Sequence, residues 1–565
     1  MSRSSSAPTP TSQTHRIRRL PLAGALRLGA PSDIWFKPST SVVVSTAMPN
    51  VTLLLLGRLD LVLYTMAGSL CALFAHNVPY AARARTLARV VLGMLAGVAV
   101  ALVTASLTHS AVVLVTVGAL LAAAQKALCD ASRIGPPGNI IFTFISSASL
   151  FTPQTLGQVP GHLALAAGAG AVAWLVGMAP VLVRPHGPER RATARALNAV
   201  AAYAATRGTG PDHERARAGA AGAVHAAWQC LLSAGARNPV RHSLERLVVR
   251  AEVTLAAPAA TDPAQLRAWA HELRGNRPVP HPVGLDRGDA DELLGVRAGL
   301  EAHGRPLWRL IGPGSPLLPI ALRTAVGCAL AGYVSLALGI GLPFWALVTA
   351  ASLYQANMTL SWSRGVQRVV GNLAGVLVFA LIAPLAHLNQ AALVVCCLAC
   401  NFVAEALAAR NYWLCSVFVT PMALMITELA HFQQPGELIL DRVVDTLTGA
   451  AVGIVAALAV TNRRVGDQLQ RALDTTDAAR DRAESVLAAD RPDPRTLETA
   501  RRRLTAALVE LRAGADAAAG EWWQRALPEE RLVRTERAGH RTLAATIRRQ
   551  GLHSGERLNV EGARA

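Results

Sequence analysis

Charge is scarce in this chain: 16% of its 565 residues are Asp, Glu, Lys or Arg, against 52% that are hydrophobic. A soluble domain carries about 25% charged residues, so the surface could not be covered by charge in water. The deficit excludes a disordered protein and points to a membrane protein, in line with a mean hydropathy of +0.33. Lysine is almost missing, with Lys37 and Lys126 alone among 55 basic residues. With the abundant alanine this reads as GC-rich codon usage, so arginine content by itself carries no function. The net charge of +19 would suit nucleic acid, but the basic residues fall where membrane topology needs them, and no nucleic acid partner is expected. The eight cysteines lie mostly inside apolar runs and exclude a disulfide framework. Cys396, Cys397 and Cys400 contain a C-x-x-C without a second pair or a nearby His, and read as small buried hydrophobes and not a metal site. There is no Walker A loop and no H-E-x-x-H, and Gly339-Ile340-Gly341 lacks the third glycine of a dinucleotide loop. No Ser/His/Asp set can be argued from scattered residues. The chain is expected not to be an enzyme, with no catalytic residues, no metal and no cofactor.

What the sequence does have is two long apolar blocks, 41–183 and 318–462. Spans fall near 41–57, 58–76, 87–107, 111–129, 139–153 and 162–183, then near 318–338, 342–358, 367–386, 391–409, 412–430 and 441–461. A basic arm, 1–40, precedes them and ends in the interfacial residues Trp35, Phe36 and Lys37; it resembles neither a signal peptide nor a span. Polar regions follow each block, 184–317 and 463–565, and both read as helical. Asp262-Pro263 and Asp493-Pro494 are caps followed by a first-turn proline, the second leading into Leu497, Ala500, Leu504, Leu508 and Leu511 at helical spacing. These helices need apolar partners, most simply each other across the two regions. The Pro/His/Gly-rich stretch 275–288 reads as a loop.

Two patterns support twelve spans. With the N-terminus inside, the inner loops hold Arg83, Arg85 and Arg89, then Lys126 and Arg133, then Arg364 and Arg368, then Arg410. The outer loops 108–110, 154–161, 339–341 and 387–390 carry no Lys or Arg, the one at 431–440 is acidic, and Arg58 is offset by Asp60. An internal repeat also aligns Gly93-Met94-Leu95-Ala96-Gly97-Val98 with Gly371-Asn372-Leu373-Ala374-Gly375-Val376, and Ser45-Thr46-Ala47 with Arg323-Thr324-Ala325. The expected fold is an all-α integral membrane protein of two parallel six-helix repeats, about twelve spans, with a cytosolic helical region after each. Six spans per unit place any pseudo-two-fold axis along the membrane normal.

At this point the residues resemble a family, the fusaric acid resistance (FUSC) and aromatic acid exporter proteins. Arg368-Val369-Val370-Gly371-Asn372-Leu373-Ala374-Gly375 is similar to the family's Arg-x-x-Gly-Thr-x-x-Gly segment, with Asn372 where the family commonly has Thr. Pro343-x-Trp345, Arg410-Asn411-Tyr412 running into Thr420-Pro421, and Arg442-x-x-Asp445-Thr446-x-x-Gly449 extend the likeness through the second block, and the first block matches loosely. The resemblance implies an inner-membrane protein of aromatic acid efflux and gives Arg368 a structural role between helix ends.

Ionisable residues at membrane depth are costly and so are the default site candidates. Lys126 and Glu405 hold equivalent places near the inner ends of the fourth spans; they either pair across the axis to gate a central pathway or snorkel to the interface. Arg323, a turn inside the seventh span, either attracts a carboxylate or anchors the helix. Asp445, at i+3 from Arg442, reads as a local ion pair. Gly93 with Gly97 and Gly371 with Gly375 are small-xxx-small pairs for helix packing. The fifth spans are the expected pathway elements, one short and following Gly135-Pro136-Pro137-Gly138, the other broken at Pro421, with Asn139, Thr143, Asn411, Tyr412 and Thr420 as polar contacts. Proline kinks without function are the competing reading.

The leading expectation is a secondary exporter of small organic acids, aromatic ones by the resemblance, driven by a proton gradient. It would sit in the bacterial inner membrane with both termini cytosolic and with lipid and a small organic anion as partners; a homo-oligomer stays open. The alternatives are an organic-anion channel and a non-transporting scaffold acting through its cytosolic helices.

Overall fold

The computed structural model describes residues 24–29, 34–132, 134–135, 137–206, 210–235, 238–256, 258, 262–275, 277–280, 317–340, 342–355, 357–430, 435–459, 465–520 and 528–562. Arg133, Pro136, Gly341, most of the arm, residues 431–434 and 281–316 of the middle region lie outside the described residues. All regular structure among the described residues is helical.

The first apolar block forms α1 (Phe36–Leu55), α2 (Val62–Ser69, between 3-10 turns), α3 (Tyr80–Leu107), α4 (Ala111–Ala131), α5 (Asn139–Leu150) and α6 (Val159–Met178). The polar region behind it contains α7 (Gly187–Ala205), α8 (Pro211–Ser233), α9 (Pro239–Ala256) and α10 (Pro263–Glu272). The second block forms α11 (Leu318–Ala337), α12 (Phe344–Leu353), α13 (Met358–Ala386), α14 (Gln390–Ala408), α15 (Tyr412–Ala430) and α16 (Pro435–Ala459). The tail forms α17 (Val465–Leu487), α18 (Pro494–Ala519) and α19 (Glu529–Gly562). Side chains start several of these helices by taking up free backbone N–H groups. Asn357 accepts from Leu360 N at 2.9 Å, Asn389 from Ala392 N at 2.8 Å, Asp262 from Ala264 N at 2.8 Å and Asp493 from Thr496 N at 3.0 Å.

Seven helical segments among the described residues are long and apolar enough to cross a membrane: 80–107, 111–131, 156–181, 318–337, 358–386, 390–408 and 438–459. Four apolar segments are shorter, at 59–73, 139–150, 344–353 and 412–428. α12, with ten residues, is about 15 Å long, half the hydrocarbon thickness, and all ten residues are buried. α2 is likewise buried at all eight positions.

The helix contacts recur between the blocks. α2 packs on α6 as α12 packs on α16, α3 on α5 as α13 on α15, and α4 on α5 as α14 on α15. Contacts across the blocks also come in matched sets: α1 on α14 with α4 on α11, and α2 on α15 with α5 on α12. Phe144 and Phe151 of α5 meet Trp345 and Phe344 of α12 at that seam, with ring centroids 5.5 and 6.0 Å apart.

The polar helices bury their apolar faces on one another. α7, α8, α9 and α10 share a core around Leu197, Trp228, Leu244, Val248 and Leu266, and Leu497, Ala500, Leu504, Leu508 and Leu511 are all buried in the tail. α8 packs on α18 and α9 on α19, joining the two regions. At that joint Arg501 pairs with Glu252 (2.7 Å) and Glu498 (2.6 Å), Arg502 lies over Trp228, and Trp228 Nε1 donates to Glu252. Burial works against the Arg501 charge, and the two carboxylates more than offset it, holding the guanidinium above its ordinary range.

Two further segments reach the second block. Thr359 N and Oγ1 donate to Gly520 O at the end of α18, at 2.9 and 2.6 Å. Residues 24–29 of the arm lie against the start of α15: Gly29 N donates to Arg410 O, Asn411 Nδ2 donates to the carbonyls of Ala25 and Arg27, and Gln367 Nε2 of α13 donates to Ala25 O at 2.7 Å.

Candidate functional site: a buried polar network in the second block

Arg364, Arg368 and Asn372 are four residues apart and therefore share one face of α13. Glycines bring the neighbouring helices onto that face. A Cβ on Gly371 would lie 2.5 Å from Ser416 Cβ and 2.6 Å from Trp413 O, and one on Gly375 would lie 2.7 Å from Thr420 Cβ. α15 can therefore approach only a backbone without side chains at those positions. A Cβ on Gly449 would lie 2.5 Å from Ala346 O, so the same device seats α16 on α12.

The close approach lets polar groups meet inside the apolar block. Arg368 Nη1 donates to Tyr412 Oη at 2.9 Å, and the Arg364 guanidinium lies 3.5 Å over the Tyr412 ring. Asn372 bridges three helices: its Nδ2 donates to Thr446 Oγ1 at 3.0 Å and its Oδ1 accepts from Thr420 Oγ1 at 2.9 Å. Ser335 of α11 donates to Asp445 Oδ1 at 2.6 Å, and the Arg442 guanidinium lies 3.9 Å over the Trp345 ring. Arg368, Asn372, Thr420, Arg442, Asp445 and Thr446 are all at most 3% exposed. Chemically this is a neutral amide–hydroxyl centre with an arginine one helical turn away on each of two helices.

Several expectations change. Lys126 does not meet Glu405. It pairs at 2.9 Å with Asp130 one turn on in its own helix, because α4 packs on α11 whereas α14 packs on α1; Glu405 is half-buried on α14. Arg442 and Asp445 do not form a local ion pair, since one turns to Trp345 and the other to Ser335. α15 is not broken at Pro421 but runs through it. The proline frees the carbonyl of Val417, and that carbonyl faces Gly375, where there is no side chain to collide with it. The fifth segment of the first block is short as expected, with 12 residues in α5, and the second segments, α2 and α12, are short in both blocks. Gly93 is not a close contact, as its Cβ would meet only Phe142 at an ordinary 3.6 Å, whereas one on Gly97 would meet Gln125 and Ser146 at 2.8 and 2.9 Å.

Of the remaining candidates, Arg323 is buried on α11. Thr143 donates to Gln125 Oε1 at 3.1 Å, and Gln125 Nε2 to Ser146, a neutral pair of bonds in the first block. Asn139 opens α5 and is buried. Asn411 holds the arm. Arg58 is bonded to Asp60 through two nitrogens, both at 3.1 Å. Ser335 and Gln125 were not singled out from sequence, since a lone Ser or Gln in an apolar helix gives no signal. Arg83, a topology marker by sequence, bonds His76, whose carbonyl accepts from Arg191 of α7.

Residues 329–456 match the model of a family described as fusaric acid resistance protein-like. The network residues Ser335, Trp345, Arg368, Asn372, Tyr412, Thr420, Arg442, Asp445 and Thr446 all fall inside that segment. No curated protein and no solved structure matches the chain. The similarity, with seven helical segments of spanning length, marks a multi-pass membrane protein and points to membrane transport or efflux.

Proposed function

We propose that this chain is a secondary transporter that exports small aromatic carboxylates across a bacterial inner membrane, driven by a proton gradient. The observation that carries the reading is the set Arg368, Asn372 and Arg442, a line of cationic and hydrogen-bonding groups buried among apolar helices. Buried charge in such helices is retained mainly where a polar solute passes. In this reading the two blocks are parallel six-span repeats about an axis along the membrane normal. Their matched contacts support that arrangement, with α2 and α12 as crossings that are helical over only part of their length. The arm and both polar regions lie in the cytosol, and the solute path runs through the second block on the side that meets the first.

Reconstitution in liposomes tests this. Uptake of labelled aromatic carboxylates is expected to rise when a pH gradient is imposed, without matching uncoupled current. Gradient-independent anion current would make the protein a channel. No transport across a broad anion panel would overturn the reading in favour of a scaffold.

A further inference from the structure

Arg442 is 1% exposed, and its Nε and Nη1 have no hydrogen-bond partner. Among the described residues it forms no ion pair, and its guanidinium rests on the Trp345 ring. Asp445, one turn on, has Oδ1 taken by Ser335 and Oδ2 unpartnered. A buried guanidinium normally has its donors matched, since an unmatched one loses its hydration without return. Neither edge of this guanidinium fork is filled, so an acceptor with two oxygens in a plane is what it lacks. The surroundings specify the rest of the ligand. Trp345 is one of four rings gathered at this place: Phe344 lies 4.6 Å from it, Phe144 5.5 Å, and Phe151 6.0 Å from Phe344. Rings in such a cluster accept another arene by offset or edge contact.

We infer that Arg442 and Trp345 form a recognition subsite for a planar aromatic carboxylate, the carboxylate on the open guanidinium edges and the arene against the cluster of rings. The inference rests on the transport reading and adds where, and by which groups, the solute is held. The subsite is closed in this structure. Asp445 lies one turn from Arg442 on the same helix, and the neighbouring Arg368 adds a second cation to the same block, one turn from the Asn372–Thr446 bond. The Arg368 and Asn372 groups beside it have no counterpart in the first block, where the repeat places Val90 and Met94, both buried.

The test is equilibrium binding to the purified full-length protein with three probes: benzoate, cyclohexanecarboxylate (charge without an arene) and benzamide (arene without charge). Benzoate is expected to bind at least tenfold more tightly than either of the others. Arg442→Gln should lower benzoate affinity at least tenfold and leave benzamide unchanged, and Arg442→Lys should recover part of the loss. Trp345→Leu should remove the preference for benzoate over cyclohexanecarboxylate. If the Arg442 variants do not fold, Trp345→Phe decides: the change in tryptophan emission that benzoate produces in the wild type should disappear, and its persistence overturns the subsite. Folded Arg442 variants that bind benzoate like the wild type overturn the subsite and leave the transporter standing. So does a wild type that transports other organic anions but binds no benzoate. A wild type that transports no anion overturns the reading on which the subsite rests.

Discussion

Arg501 and Arg442 are both buried, one where the two polar regions join and the other in the second apolar block, and their surroundings are opposite. Arg501 is clamped by two carboxylates, and its neighbour Arg502 covers an indole that is itself bonded to one of those carboxylates. Arg442 has an aromatic face beneath it and unmatched donors around it. A charge locked by opposite charge holds a structure together; a charge left with open donors is available to something that arrives. The largest effect should therefore appear where the lock is broken. Arg501→Met leaves Glu252 buried without a cation and Glu498 with Arg502 as its remaining partner, and breaking a buried pair costs about 3–5 kcal/mol. Thermal unfolding of the full-length protein should show that loss, and adding Glu252→Gln should return most of it. Full stability in the single variant would mean that the joint does not depend on this cluster.

The two apolar blocks differ in the same sense. They share helix pairings, yet the interior of the first is apolar at Val90 and Met94 while the second carries Arg368 and Asn372 at the equivalent places. Exchanging the residues separates packing from transport. Arg368→Val with Asn372→Met should keep the fold and lower initial uptake in liposomes by at least about 100-fold, roughly 2.7 kcal/mol of barrier. The reverse change, Met94→Asn, buries an amide without partners and should destabilise the protein by about 1–3 kcal/mol, while uptake by the folded fraction stays near the wild-type rate. Equal loss of uptake from both changes would mean that the interior of the first block lines the pathway as much as that of the second.

Much of this was legible in the sequence because apolar run length and periodicity directly report helices: α4, α14 and α15 lie within two residues of their expected bounds. The short α2 and α12 were not legible. Composition marks an apolar run as buried but does not say where its helix stops, and a segment enclosed by protein needs no spanning length. The resemblance drew Trp345, Arg368, Asn372, Tyr412, Thr420, Arg442 and Asp445 together as motif residues, but their meeting in space depends on which faces of α13, α15 and α16 the glycines press together. Lys126 and Glu405 illustrate the converse. Equivalent positions in a repeat are symmetry mates, and mates meet only if their helices lie on the axis; α4 and α14 each pack instead on the first helix of the other block. The i,i+4 partner Asp130 was in the sequence and is the nearer bond.

The glycines give the finest form of the block comparison, since the repeat aligns Gly93 with Gly371 although they perform different tasks. Gly371→Ala would set a methyl 2.5 Å from Ser416 Cβ and 2.6 Å from the Trp413 carbonyl, and backbone cannot swing away as a side-chain tip can. Overpacking of this kind costs about 1–3 kcal/mol, and here it also moves α15 off α13, so the Asn372–Thr420 bond should lengthen and uptake fall with stability. Gly93→Ala sets its methyl at an ordinary distance from Phe142, and replacing a glycine inside a helix removes backbone freedom from the unfolded chain, a gain of about 0.4–1 kcal/mol. The two variants are thus expected to shift the thermal midpoint in opposite directions. A matching loss in both would mean that the first block is packed as tightly as the second and that small residues in it serve the same close approach.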